Sequence, residues 1–120
     1  MNFINDLVMH LENDTDISNL VGENIYPKVM PQGCSKPAIV YTIVNDEDIQ
    51  SLQGEVSYED VAVQLDCYSF KYSEAFELKV AVKKALYEFE YYPYDLVSRD
   101  MPYEDDTKLY RQMIEFKFNI

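Results

Sequence analysis

Two segments of strict alternation constrain this chain more than anything else in it. Tyr110, Ile114, Phe116, Phe118 and Ile120 share one parity, while Arg111, Glu115, Lys117 and Asn119 take the other. Earlier, Val61, Val63, Leu65 and Cys67 oppose Gln64 and Asp66. Successive side chains of a strand point to opposite faces, so each segment predicts a strand with one apolar face to bury. The residues able to cover those faces lie between them. Ala75, Leu78, Val82, Ala85 or Leu86, and Phe89 recur at helical spacing, which predicts a helix from Ser73 to about Phe89. Ser73 is the expected N-cap, with Glu74 and Glu77 at the positive end of the helix dipole and Lys83 and Lys84 at the negative end.

The remaining elements fit the same two-layer scheme. Phe3, Ile4, Leu7, Val8 and Leu11 form the apolar side of an N-terminal helix of about three turns. A second short turn starts at Thr15 or Asp16, turns Ile17, Leu20 and Val21 inward and stops at Gly22. Pro27 and Pro31 lock φ and extend the residues before them, so the segment from Ile25 to Pro37 reads as a surface crossover rather than a central strand. Ala38 to Val44 is apolar on both parities except at Thr42, the pattern of a central strand. Asn45 to Asp60 reads as a long acidic connection. A further strand is expected around Leu96 to Arg99, followed by an acidic turn at Glu104, Asp105 and Asp106. The expected fold class is therefore α+β, a mainly antiparallel four-stranded sheet packed against a long helix, with an N-terminal helix. With no linker or repeat, residues 1–120 read as one domain.

Charge narrows the function. A formal net charge of −12 on 120 residues disfavours simple binding to nucleic acid or anionic lipid. Only Lys79, Lys83 and Lys84 stand close together. Cys34 and Cys67 form no CxxC pair and read as two reduced structural thiols. The start of the chain lacks a basic region and a sufficient apolar run, which predicts neither a signal peptide nor a membrane span.

No catalytic constellation emerges. The only histidine, His10, falls among solvent-facing positions of the first helix and reads as an exposed bystander. Asp46, Glu47 and Asp48 supply oxygen ligands but lack the alternation and central glycine of a calcium loop, so a solvated acidic loop is expected and no metal or cofactor. Tyr91, Tyr92, Tyr94 and Tyr103, with Pro93 and Pro102, read as a group near one end of the domain. Tyrosine combines contact area with a polar tip, so this group suits either a docking surface for a partner or the rim of the core.

Several motifs together resemble the tail-completion proteins of long-tailed bacteriophages, also called head-to-tail joining or tail-terminator proteins. They are Val21-Gly22, Ile25-Tyr26-Pro27, Pro31-Gln32-Gly33 and Pro37-Ala38-Ile39-Val40-Tyr41, then Leu52 and Gly54 in the connection. Val63-Gln64-Leu65-Asp66-Cys67-Tyr68, Tyr72-Ser73-Glu74-Ala75 and Asp106-Thr107-Lys108-Leu109-Tyr110-Arg111 continue the series. The resemblance spans most of the chain and rests on order and spacing.

It implies a non-enzymatic protein that forms a hexameric ring, stops polymerisation of the tail tube and provides the surface on which the head connector docks. The implied partners are other copies of the chain, the major tail tube protein and the head-tail connector, with DNA only passing through the channel and no membrane. The implied location is the head-proximal end of the virion tail, with assembly in the bacterial host cytoplasm. Under this resemblance the ring contact is expected at Ile25, Tyr26, Pro27, Pro31, Pro37 and Val40, and a lumen-facing loop at Asp46, Glu47, Asp48 and Glu55. The alternative is an acidic inhibitor that mimics DNA and occupies a host nucleic-acid-binding protein. That reading needs carboxylates in regular rows, whereas here they gather in turns and at helix starts.

Overall fold

The computed structural model describes residues 3–34, 37–54 and 56–120 of the chain, and the side chains of all of these but Val56 and Ser57. Three helices, α1 (Phe3–Asn13), α2 (Thr15–Val21) and α3 (Tyr72–Tyr87), pack on one face of a sheet. Its strands are β1 (Ile25–Pro27), β2 (Ala38–Gln50), β3 (Val56–Ser69), β4 (Tyr94–Glu104) and β5 (Leu109–Asn119). The spatial order is β1-β2-β3-β5-β4. The α+β class holds, but the sheet is five-stranded and mixed. Ile25–Pro27, read from the prolines as crossover, adds a short strand parallel to β2, with Ile25 opposite Ile39 and Pro27 opposite Tyr41. Proline is tolerated there because β1 is an edge and its outer side needs no donor.

Alternation and helical spacing meet as expected in the core. Val61, Val63, Leu65 and Cys67 of β3 and Ile114, Phe116 and Phe118 of β5 are buried with Leu78, Val82, Ala85, Leu86 and Phe89. Phe118 is the centre of an aromatic cluster, with Phe3 and Phe89 at 5.6 Å and Phe116 at 5.2 Å between ring centroids. Cys67 lies in this core, where burial pushes its thiol pKa upward, and neither Cys67 nor Cys34 is in a disulfide.

The helix ends differ from the sequence reading. Asp14 caps α2 by accepting from the Ile17 N–H at 3.0 Å. Ser73 does not cap α3. Lys71 occupies the N-cap without a side-chain bond, and Ser73 already lies in the first turn. Ser69 organises this corner, its Oγ accepting from the Lys71 N–H at 3.1 Å and donating to Glu74 at 2.9 Å. His10 is no bystander either. Its Nε2 lies 2.7 Å from the Ala85 carbonyl and its ring stacks on Phe89 at 4.8 Å, tying α1 to the last turn of α3.

The largest difference concerns Asn45 to Asp60. Instead of a long loop, β2 and β3 continue through it as a hairpin, with Asp46 opposite Val61 and Asp48 opposite Glu59. Only a tight turn remains, closed by the Gly54 N–H on the Ser51 carbonyl at 3.0 Å. Gly54 adopts φ +83°, which a side chain would strain. Because the chain end pairs with β3 only as far as Glu59, which exchanges both backbone hydrogen bonds with Ile120, and β1 reaches only Tyr41 of β2, the hairpin projects as a two-stranded arm. The molecule is correspondingly elongated, 52 × 29 × 22 Å.

The sheet face away from the helices carries a buried ion pair. Asp66, 5% exposed, lies 3.3 Å from Nε of Arg111 and accepts from Gln64 at 3.0 Å. Burial pushes the Asp66 carboxyl upward, and Gln64 and Arg111 act against that shift. Removing the cation leaves a buried carboxylate uncompensated. Arg111→Met is therefore expected to lower unfolding free energy by about 3 kcal/mol in urea denaturation, with Asp66→Asn restoring most of the loss when combined with it. Phe118→Ala, which empties the centre of the aromatic cluster, should cost about 3–5 kcal/mol in the same measurement.

Candidate functional site

The arm carries Asp46, Glu47, Asp48, Glu59 and Asp60 close together in the hairpin. A register shift between Ile43 and Asn45 inserts Val44 as an extra residue, reversing which face the following side chains take. Asp46 and Asp48 thereby emerge on the helix-bearing side with Glu59, and Glu47 and Asp60 pair on the other. Carboxylate oxygens of Asp46, Asp48 and Glu59 lie within 4.8 Å of one another. The Asp46 carboxylate, followed by burial and Asp48, pushes the Glu59 pKa upward. Asp46 and Asp48 are exposed and Glu59 is half-exposed. Glu55, expected in the same group, lies outside the described residues.

Tyr94 braces the root of this arm. Its hydroxyl donates to the Asp60 carboxylate and approaches Asn119 Oδ1 at 3.4 Å, and the Asp60 bond pushes its pKa up to about 12. Tyr91 is likewise engaged. It donates to Asp6 at 2.5 Å, which pushes its pKa up to about 12, and packs on Phe89 and Phe118. Tyr92 is 82% exposed with φ +52°. Tyr103 belongs elsewhere: it stacks on Tyr110 at 4.7 Å near the far end of β4. The four tyrosines are therefore not one group, because an extended strand of this length separates Tyr103 from the others by roughly 30 Å. Tyr110 instead joins Tyr103 to Tyr72, and Tyr72 neighbours Phe76.

The crossover residues occupy a different edge. Ile25 and Tyr26 are half-buried in β1, Pro27 and Pro31 are exposed, Pro37 is half-buried and Val40 is buried opposite Tyr26. A shallow polar concavity lies between the crossover and the end of α2, lined by Gly22, Glu23, Tyr26, Pro31 and Cys34 among others. Exposed Ile43 and Val44 stand at the root of the arm, and Ile43 lines a concavity with Pro27 and Lys28.

The sequence reading missed the outer face of α3. Tyr72, Phe76, Val80 and Tyr87 are 45%, 44%, 52% and 70% exposed, and Lys79 sits 4.0 Å over the Phe76 ring. The signal was available, since these residues and Lys83 recur at three- and four-residue spacing opposite the buried stripe. Assigning the lysines to the helix dipole obscured it. Among the described residues no helix is long and apolar enough to cross a membrane.

The family profile described as Tail completion protein gp17 matches residues 5–120. Among solved structures, a chain of "Virion of native gene transfer agent (GTA) particle" is similar with a TM-score of 0.67 and 15% identity, covering 94% of this chain and 90% of that one. At that identity the likeness is one of fold. A chain of "Probing the function of heme distortion in the H-NOX family" gives a TM-score of 0.46 at 11% identity, covering 98% of this chain and 48% of that one, too slight to support an argument. No curated protein matches.

Crowding of carboxylates gives the arm a definite pH response. A raised Glu59 pKa in the folded state means that stability falls as pH rises through the carboxylate range to that pKa. Glu59→Gln should raise the thermal midpoint at neutral pH, and the gain should vanish at pH values low enough to protonate Glu59 in the folded and unfolded chain alike. A gain independent of pH would show that charge crowding is not its cause.

Proposed function

Because the chain belongs to the tail completion protein gp17 family and so has a structural role in a phage tail, we propose that it caps the tail tube, stops its growth and joins the tail to the head connector as a ring. The family match over residues 5–120 carries this reading, since it takes in every strand, the arm and α3. A structural role agrees with the site's chemistry: its carboxylates are crowded on an exposed arm, and its histidine and two of its tyrosines are tied into packing bonds. The partners on this reading are further copies of the chain, the tail tube protein and the connector protein.

Within such a ring the crossover from Pro27 to Pro31, with Val29 three-quarters exposed beside it, belongs to a subunit boundary. Glu47, on the arm face away from the helices, faces the channel and repels the phosphates of passing DNA. Tyr92, the most exposed of the predicted docking tyrosines, belongs to the surface that meets a partner. The inhibitor reading has no comparable support.

An early stop codon in this gene of the parent phage tests the proposal. Electron microscopy of the lysate should reveal DNA-filled heads separated from tails, with tails of abnormal length. Normally joined particles would reject the tail-completion function.

A further inference from the structure

The outer face of α3 and the acidic arm are complementary, and a single copy does not bring them together. In a chain with 22 acidic and 10 basic residues, the stripe Tyr72, Phe76, Lys79, Val80, Lys83 and Tyr87 carries no carboxylate. Of the acids of α3, Glu74 is bonded to Ser69, and Glu77 lines a groove against α2 that Val80 and Lys84 share. The arm has the opposite character. It presents Asp46, Asp48 and Glu59 together, with exposed Ile43 and Val44 at its root and Leu52 at its turn.

Among the described residues neither surface has an ionic partner. Among the described residues the ion pairs are Arg111 with Asp66 and Glu104, and Lys117 with Asp95. Topology also separates the two surfaces. Beyond Tyr41, β2 is the free edge of the sheet on one side, whereas Tyr72 at the start of α3 bonds Asp100 of β4, the edge strand on the other.

We infer that the acidic arm of one copy docks on the lysine and aromatic stripe of α3 in the next copy. The occupant is a second copy because the required charge and apolar groups are present on this chain, at the opposite edge of the sheet. Two different surfaces in contact make a heterologous interface, which repeats around a ring if the rotation closes. Desolvated carboxylate–lysine pairs set the register, and Ile43 and Val44 at the root of the arm against the aromatic and apolar side chains of the stripe supply apolar burial. Glu47, on the other face of the arm, stays free. This inference rests on the ring reading and specifies its contact.

Charge reversal in the parent phage tests it. Lys79→Glu with Lys83→Glu, or Asp46→Lys with Asp48→Lys, should each lower the yield of joined particles about tenfold or more by placing like charges opposite one another. All four changes together should restore most of the yield. Lys83→Gln and Asp48→Asn provide a milder pair of variants, each expected to reduce the yield without an added repulsion. Circular dichroism and the thermal midpoint of each purified variant separate a lost contact from a lost fold. Failure of the fourfold variant to improve on its folded components would overturn the inference, as would normal yield from either reversal. A stop codon that leaves joining intact would instead overturn the ring reading itself.

Discussion

Pairing of β3 with β5 beneath α3 is the constraint on which the molecule depends. Ten residue pairs, from Asp60 opposite Asn119 to Ser69 opposite Tyr110, align the apolar parity of both strands on one side. Their combined face is wide enough to require a helix over it, and α3 covers it with Leu78, Val82, Ala85, Leu86 and Phe89. At period two, a slip of one residue would turn Phe116 and Phe118 to the opposite face and bring Lys117 into the core. Phe118 then recruits α1 through Phe3, and the chain after α3 through Phe89 and Tyr91.

With the centre fixed, the periphery is free to project. β3 is longer than β5, so its first residues have only β2 for a neighbour, and the arm follows from that mismatch. One extra residue at Val44 then decides which acids face the helix side. Repulsion among Asp46, Asp48 and Glu59 is tolerated because the arm contributes little to the core, while a counter-charge from outside would relieve it. A surface that weakens the isolated chain in this way is suited to assembly.

Legibility followed burial. Where one face is buried, as in Val61 to Cys67, Tyr110 to Ile120 and the inner stripe of α3, periodicity in the sequence predicts both element and orientation. Where neither face is buried, the signal fades. Asn45 to Asp60 mixes acids with Ile49, Leu52 and Tyr58 without a sustained alternation, so its composition does not distinguish a projecting hairpin from a loop. β1 escaped because Pro27 argues against a central strand but not against a short parallel edge. Tyr103 looked close to Tyr91 and Tyr94 in sequence, yet β4 is extended and carries them apart. His10 looked exposed because a helical wheel does not reveal the neighbouring helix end that its ring reaches. The α3 outer stripe was legible in pattern, but a helix with two apolar faces is read first for the face it buries.

The account turns on a ring of this chain between tail and connector, and the most direct measurement is a cryo-electron microscopy reconstruction of the neck of the parent virion. It should show the five-stranded sheet and α3 repeated in a ring at the head-proximal end of the tail tube, with each arm lying across α3 of the adjacent subunit. A neck in which no ring density accommodates this fold would contradict the account.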